Sequence, residues 1–414
     1  MIFHALGLHM HQPPRNLAFL LEADEWEARQ IILCYERPLK YVRRYEDVAR
    51  LHLDFSGTLL EQLTDEEVIR NFFDIGIDLG FVHEYANAES IEFLGSGYYH
   101  PVFPLIPKDD WKPQILRWRR LAETLGFKNV KGFWPPEMGF CMELIPTLRE
   151  TGFEYVFVDG FHVVPLEEMT MAELLYKPHI ASYEGYEIVV IPRDRDLSNA
   201  QQSGLAPTWF ENEVVSKLEK LGGVNATTEK RRGCKNGGDA KKCNFEDENF
   251  LITTWSDGEN GGWFRNMHEP SNFWGHFFAP YMEKVQEGVS KITPRSITEF
   301  LRENSPESEV FVRTGAWNVA GRSGVDFSQW AGTDAQKKAL GEVWSISKEF
   351  HKLEKQGKFK GLNKKLVEQL ETLILRAETS CNFFWGETFL NRAYEDVNFA
   401  KEIIRKALGP SWRK

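Results

Sequence analysis

Ile2-Phe3-His4-Ala5-Leu6-Gly7-Leu8 is an apolar run interrupted by a single histidine, and it leads straight into His9-Met10-His11-Gln12-Pro13. Such a run reads as a buried strand that delivers a polar motif at its carboxyl end. The pattern recurs. Residues 130–134 end at Pro135-Pro136-Glu137, and Tyr155-Val156-Phe157-Val158 ends at Asp159-Gly160. Residues 188–191 end at Pro192-Arg193-Asp194, and Phe250-Leu251-Ile252-Thr253-Thr254-Trp255 ends at Ser256-Asp257-Gly258-Glu259. Amphipathic stretches at 111–125 and 142–150 between these runs read as helices. Alternating strands and helices predict an α/β fold of βαβ units with a parallel sheet, whose ligands bind beyond the carboxyl ends of the strands.

Around residues 302–309 the chain turns polar at Ser305-Pro306, and three helical patterns follow at 334–356, 363–378 and 388–407. Their three- and four-residue apolar spacing predicts a packed helical bundle. The expected division is a catalytic barrel over 1–305 and a helical domain over 306–414 that completes the cleft. Within the first part, 222–249 reads as an insertion loop, with Lys230, Arg231, Arg232, Lys235, Lys241 and Lys242 against Asp239. Cys234 and Cys243 bracket its basic glycine-rich part and either pair or remain free thiols. Asn225-Ala226-Thr227 matches a glycosylation pattern that matters only after secretion. The amino terminus has no basic segment or small-residue cleavage site, and no stretch approaches the ~18 apolar residues of a membrane span. A cytoplasmic location is expected, and five cysteines are too few and dispersed for a disulfide framework.

The formal charge of −11 disfavours nucleic acid and anionic membranes as partners. Aromatic residues make up 13% of the chain, with 13 tryptophans, and flat apolar rings suit the faces of sugars. The polar strand ends fit the same chemistry. His9 and His11 point the same way from one strand, able to hold a metal with further ligands or to bond ligand hydroxyls. Pro135 and Pro136 fix the backbone before Glu137, as a nucleophile or general base needs. Asp257 and Glu259 lie in a glycine-rich turn between Trp255 and Trp263. Glu92 through His100-Pro101, with Arg193 and Asp196, add polar reach. Two carboxylates on different strand ends describe a glycosidase cleft, about 5–5.5 Å apart for retention or roughly 6.5–9.5 Å for inversion.

In this order the His9-Met10-His11-Gln12-Pro13, Trp134-Pro135-Pro136-Glu137 and Asp257-Gly258-Glu259-Asn260 motifs resemble glycoside hydrolase family 57. Residues from Glu92 to His100-Pro101 are similar to its second motif and Cys381-Asn382-Phe383-Phe384-Trp385-Gly386-Glu387 to its last, so the resemblance spans nearly the whole chain. It implies an incomplete (β/α)7 barrel followed by a C-terminal α-helical bundle. It also implies action on α-glucans with retention, without cofactor or metal. Carried over, Glu137 is the nucleophile and Asp257 the general acid/base, while His11 and His9 contact the sugar. Trp134, Trp255, Trp263 and Trp385 stack on the substrate or shape its cleft. Tyr99-His100-Pro101 and Gly315-Ala316-Trp317 look most like the amylopullulanase and α-amylase branch. Glu89-Ser90 stands where that branch has Gly-Gln, and Cys381-Asn382 where it has Asp-Trp.

The expected activity is a retaining α-glucan hydrolase acting on α-1,4 bonds, with α-1,6 bonds as a further target. A 4-α-glucanotransferase or branching enzyme would use the same catalytic pair and differ in whether water is excluded. A metal-dependent carbohydrate deacetylase built on His9, His11 and an Asp leaves Glu137 without a role. A non-catalytic glucan-binding protein leaves both acids without one.

Overall fold

The computed structural model describes residues 1–202, 204–222, 248–317 and 327–409. Apart from its edges, the expected insertion loop, with Cys234, Cys243 and Asn225-Ala226-Thr227, lies outside the described residues. The strands are β1 (Ile2–Met10), β2 (Leu51–Phe55), β3 (Ile91–Gly95), β4 (Gly132–Phe133), β5 (Tyr155–Asp159) and β6 (Val163–Pro165). They continue with β7 (His179–Tyr183), β8 (Tyr186–Arg193), β9 (Phe250–Asp257), β10 (Thr293–Pro294) and β11 (Val310–Val312).

Seven strands run parallel in the spatial order β9-β1-β2-β3-β4-β5-β8. Among the described residues no ladder joins β8 to β9. The circle is drawn shut there by the Asp194 N–H donating to the Thr253 carbonyl at 2.9 Å. The Arg193 side chain adds a bond to the Trp255 carbonyl, also at 2.9 Å. This is the incomplete (β/α)7 barrel that the alternation and the family resemblance predict. β7 flanks β8 antiparallel, β10 pairs with the start of β1, and β6 and β11 form a separate ribbon.

The sequence reading did not single out β2 or β3, and it drew β4 too long. All five residues of β2 are buried, including His52 and Asp54. Its alternating polar residues find partners inside the protein, which local hydropathy does not reveal. β4 has two ladder residues, but the Trp134 N–H extends it by donating to the Gly95 carbonyl at 2.8 Å. The helix expected over 142–150 splits into a 3₁₀ turn, Met142–Leu144, and a short helix, Ile145–Glu150.

The barrel interior is filled. Trp134 and Trp255 stack with ring centres 4.6 Å apart, Phe157 leans on Trp255 at 4.6 Å, and all three are fully buried. Gly7 makes this possible. It lies directly opposite Trp255 in the β1–β9 register, and a β-carbon there would fall 1.9 Å from the indole.

The helices Asp334–Lys355, Lys364–Ala377 and Glu387–Leu408 match the expected bundle to within a residue at each end. The first is stopped at its amino end by a Thr333–Gln336 capping box. Val343, Ile346, Phe350, Ile374, Val397 and Ile404 share one core. Two backbone bridges, Phe140 to Gly315 and Pro101 to Thr379, tie the later chain to the barrel's upper rim. A buried bond from His351 to Asp110 at 2.7 Å adds a third tie.

Gly7→Ala is expected to destabilise the protein by about 1–3 kcal/mol through overpacking. Gly341→Ala, in a helix where nothing lies within 4 Å of the new carbon, should stabilise it by about 0.5–1 kcal/mol. Urea unfolding midpoints at unchanged slope check both.

Candidate active site

The site stands on the tryptophan stack. Trp255 directs its indole N–H at Asp54 Oδ1, 3.0 Å away, and Asp54 Oδ2 meets His9 Nδ1 at 2.5 Å. Asp54 and His9 lie side by side on β2 and β1, where parallel register makes them Cα partners. Burial opposes a charge on His9, but the Asp54 carboxylate, with Asp257 and Glu259 beyond it, outweighs burial and holds the ring's pKa above its ordinary value. His9 Nε2 lies 2.9 Å from His100 Nε2, and His100 Nδ1 lies 2.8 Å from Ser380 Oγ. His11 stacks on His100 with ring centres 3.7 Å apart. Burial, with charge on the neighbouring histidines adding to it, holds the pKa of His11 and His100 well below the usual histidine value.

Glu137 follows β4. Its φ of 56° and the 50° of Met138 place two successive non-glycine residues in the left-handed region, a conformation that persists only where surroundings enforce it. Here Pro135 and Pro136 precede it, and bonds from Met138 N–H to the Pro135 carbonyl (2.7 Å) and from Trp317 N–H to the Glu137 carbonyl (2.9 Å) hold it. The side chain is 16% exposed. Trp317 Nε1 donates to Oε2 at 2.8 Å and Ser380 Oγ to Oε1 at 3.0 Å. Burial, with Asp257 nearby, raises the Glu137 pKa, while these two donors and His9 pull it back. Asp257, the last residue of β9, receives a bond from Asn260 at 2.9 Å. Glu259 accepts from the His11 N–H at 3.0 Å, and its Oε2 is buried without a hydrogen-bond partner. Burial and the charge of Asp257 hold its pKa well above the usual carboxyl range.

Glu137 and Asp257 line one cavity of about 410 Å³ together with His9, His11, His100 and Trp385. Larger cavities, of about 440, 490 and 650 Å³, lie elsewhere among the described residues. Trp385 is 57% exposed on the rim, beside Phe384. Trp134 and Trp255 are wholly buried beneath the site, so they shape its floor and have no free face for a sugar. Arg193 is buried too, with its guanidinium 5.5 Å above the Trp317 ring.

Besides Trp134, Trp255 and Arg193, which do not line it, three expected binding residues lie away from this cavity. Glu92 is the second residue of β3, at the opposite end of the barrel, where it accepts from the Thr298 N–H at 3.1 Å and from the Tyr155 hydroxyl. Asp196 is 83% exposed and paired with Lys217 at 3.0 Å. Trp263 packs against Phe273 and His276, away from the cavity. Conversely, Asp54 and Ser380 escaped the sequence reading. Asp54 sits in a strand with no motif, and Ser380 immediately precedes a motif read for its aromatics.

Comparison with known proteins agrees with this architecture. The chain is 24% identical over 322 residues to an α-amylase of Dictyoglomus thermophilum, covering 76% of this chain and 40% of that protein. It is 31% identical over 191 residues to a 4-α-glucanotransferase of Thermococcus litoralis, covering 46% of this chain and 26% of the relative. The chain thus spans less than half the length of these curated relatives. Its fold matches that of a branching enzyme of Thermococcus kodakaraensis, crystallised with glucose, with a TM-score of 0.69 at 17% identity, over 98% of this chain and 90% of that one. The family model of glycosyl hydrolase family 57 matches at residues 5–202. This stretch, the barrel from within β1 through β8, belongs to glycosyl hydrolase family 57.

Proposed function

We propose that the chain cleaves α-1,4-glucosidic bonds in an α-glucan with retention of configuration. Glu137 attacks the anomeric carbon, forming a glycosyl ester as the C–O bond to the leaving chain breaks. Asp257 gives its proton to the departing oxygen, then takes one from the water that hydrolyses the ester. The observation that carries this reading is the treatment of Glu137. Two side-chain donors meet its two oxygens, it is aimed by a strained backbone, and it lines the same cavity as Asp257. Donors aimed at both oxygens favour a carboxylate, the form a nucleophile needs. Asp257 accepts a solvent-exposed bond from an amide at one oxygen, which suits a group that must exchange a proton with solvent. The names of the relatives, α-amylase and 4-α-glucanotransferase, support an α-glucan as the substrate class. The exposed aromatic rim of Phe384 and Trp385 suits the faces of a sugar chain.

Transfer to a sugar hydroxyl is the second reading, favoured by the glucanotransferase relative. Incubation with maltotriose separates the two. Hydrolysis yields only shorter products, whereas transfer yields longer ones. Amylose and pullulan in parallel report linkage preference.

Glu137→Gln and Asp257→Asn are each expected to lower kcat on the order of 10²–10⁴-fold while retaining binding to starch. Near-wild-type turnover by either variant refutes the role given to that residue. Because burial raises the Glu137 pKa, and the nucleophile must be ionised, kcat/KM should begin to fall at a higher pH on the acid side than an ordinary glutamate would give. EDTA is expected to leave the rate unchanged.

A further inference from the structure

Asp54, His9, His100, Ser380 and Glu137 come from five separate places in the chain, yet they form one unbroken line of hydrogen bonds. The successive separations are 2.5, 2.9, 2.8 and 3.0 Å. Counting protons from both ends fixes every bond but one, and leaves open which histidine holds the proton between them. An ionised Glu137 has no proton, so the Ser380 hydroxyl must donate to it. Ser380 Oγ then accepts from His100 Nδ1–H, and because only His9 is bonded directly to a carboxylate, His100 is the neutral ring and its Nε2 is bare. The facing His9 Nε2 must therefore carry a proton. At the other end, Asp54 already accepts the Trp255 N–H at one oxygen and takes His9 Nδ1–H at the other. His9 thus holds protons on both nitrogens and is a cation at 2% exposure. Its counter-ion is Asp54, fully buried and outside the cavity lining, whose pKa burial raises while His9 and the bonds from His9 and Trp255 draw it back.

We infer that Asp54, His9, His100 and Ser380 form a one-way hydrogen-bond relay that keeps Glu137 ionised and aimed, with Asp54 as a positioning residue for a carboxylate it never touches. This rests on the reading of Glu137 as the nucleophile. The other titratable groups facing the line are Asp257 at the end of β9, Glu259 in the turn after it, His11 just past β1, and Cys381 beside Ser380. Asp257 works against the ionised state of Glu137, and charged His9 works for it. The raised pKa of His9 and the lowered pKa of His100 agree with the order reached by counting protons.

Nitrogen NMR of histidine-labelled protein reads the order directly, without activity. At neutral pH wild-type His9 should show two protonated nitrogens and His100 one, at Nδ1. In Asp54→Asn, His9 should lose a proton, because its counter-charge is gone. The acid limb of kcat/KM should then move to higher pH, and kcat at neutral pH should fall about 10-fold or more while KM stays within about twofold. Ser380→Ala should shift the acid limb the same way without altering His9, and Ser380→Thr, which keeps the hydroxyl, should restore it. A singly protonated His9 in the wild type overturns the relay, as does an acid limb in Ser380→Ala that overlays the wild type. Should Asp54→Asn fail to fold, the wild-type spectrum and the two Ser380 variants still decide. If the wild type neither hydrolyses nor transfers glucan, the proposed function falls, and the histidine spectrum judges the relay by itself.

Discussion

Trp255 is the member on which the rest of this structure leans. Its ring fills the barrel where Gly7 leaves room, stacks on Trp134, and points its one polar atom upward at Asp54. A tryptophan is large enough to occupy the interior of a seven-stranded circle and still bring a donor to its upper surface. The same residue receives Arg193 at its carbonyl, across the side of the barrel that no ladder closes among the described residues. One residue therefore ties the core, the seam and the floor of the cavity together. Interiors packed at this density pass displacement on rather than absorb it.

Above that floor the arrangement is electrostatic. A buried cation–anion pair, His9 with Asp54, sits beneath Glu137, Asp257 and Glu259, which face one cavity. An isolated charge at that depth is costly, and pairing is the usual way it is sustained. Burial then separates the acids. Glu259 is pushed well above the ordinary carboxyl range, while hydrogen-bond donors draw Glu137 back toward ionisation.

How much of this was legible beforehand follows a physical line. β1, β5, β8 and β9 are apolar on both faces, and such runs announce themselves in hydropathy alone. The bundle helices were legible from apolar spacing, and their ends agree closely with the structure. β2 escaped because its polar residues are satisfied by partners far along the chain: His52 by the Leu6 carbonyl, Asp54 by His9 and Trp255. For the same reason Asp54 was invisible as part of the site. Glu92 erred in the opposite direction. It shares a stretch with His100, but a strand of five residues separates the two ends of a barrel, and Glu92 lies at the far one. Trp263 follows the Asp257 turn by only a few residues, yet the short helix Gly262–Arg265 carries it into packing with Phe273 and His276.

Both side chains that donate to Glu137 belong to residues beyond the strands of the barrel, at positions 317 and 380. During synthesis the amino-terminal parts of a chain leave the ribosome first and begin to fold there. The strand circle is thus complete in covalent terms while position 380 has yet to be translated. Until that serine arrives, the carboxylate lacks one of its two ligating groups. Chemical competence comes late in the life of each nascent molecule, after its shape.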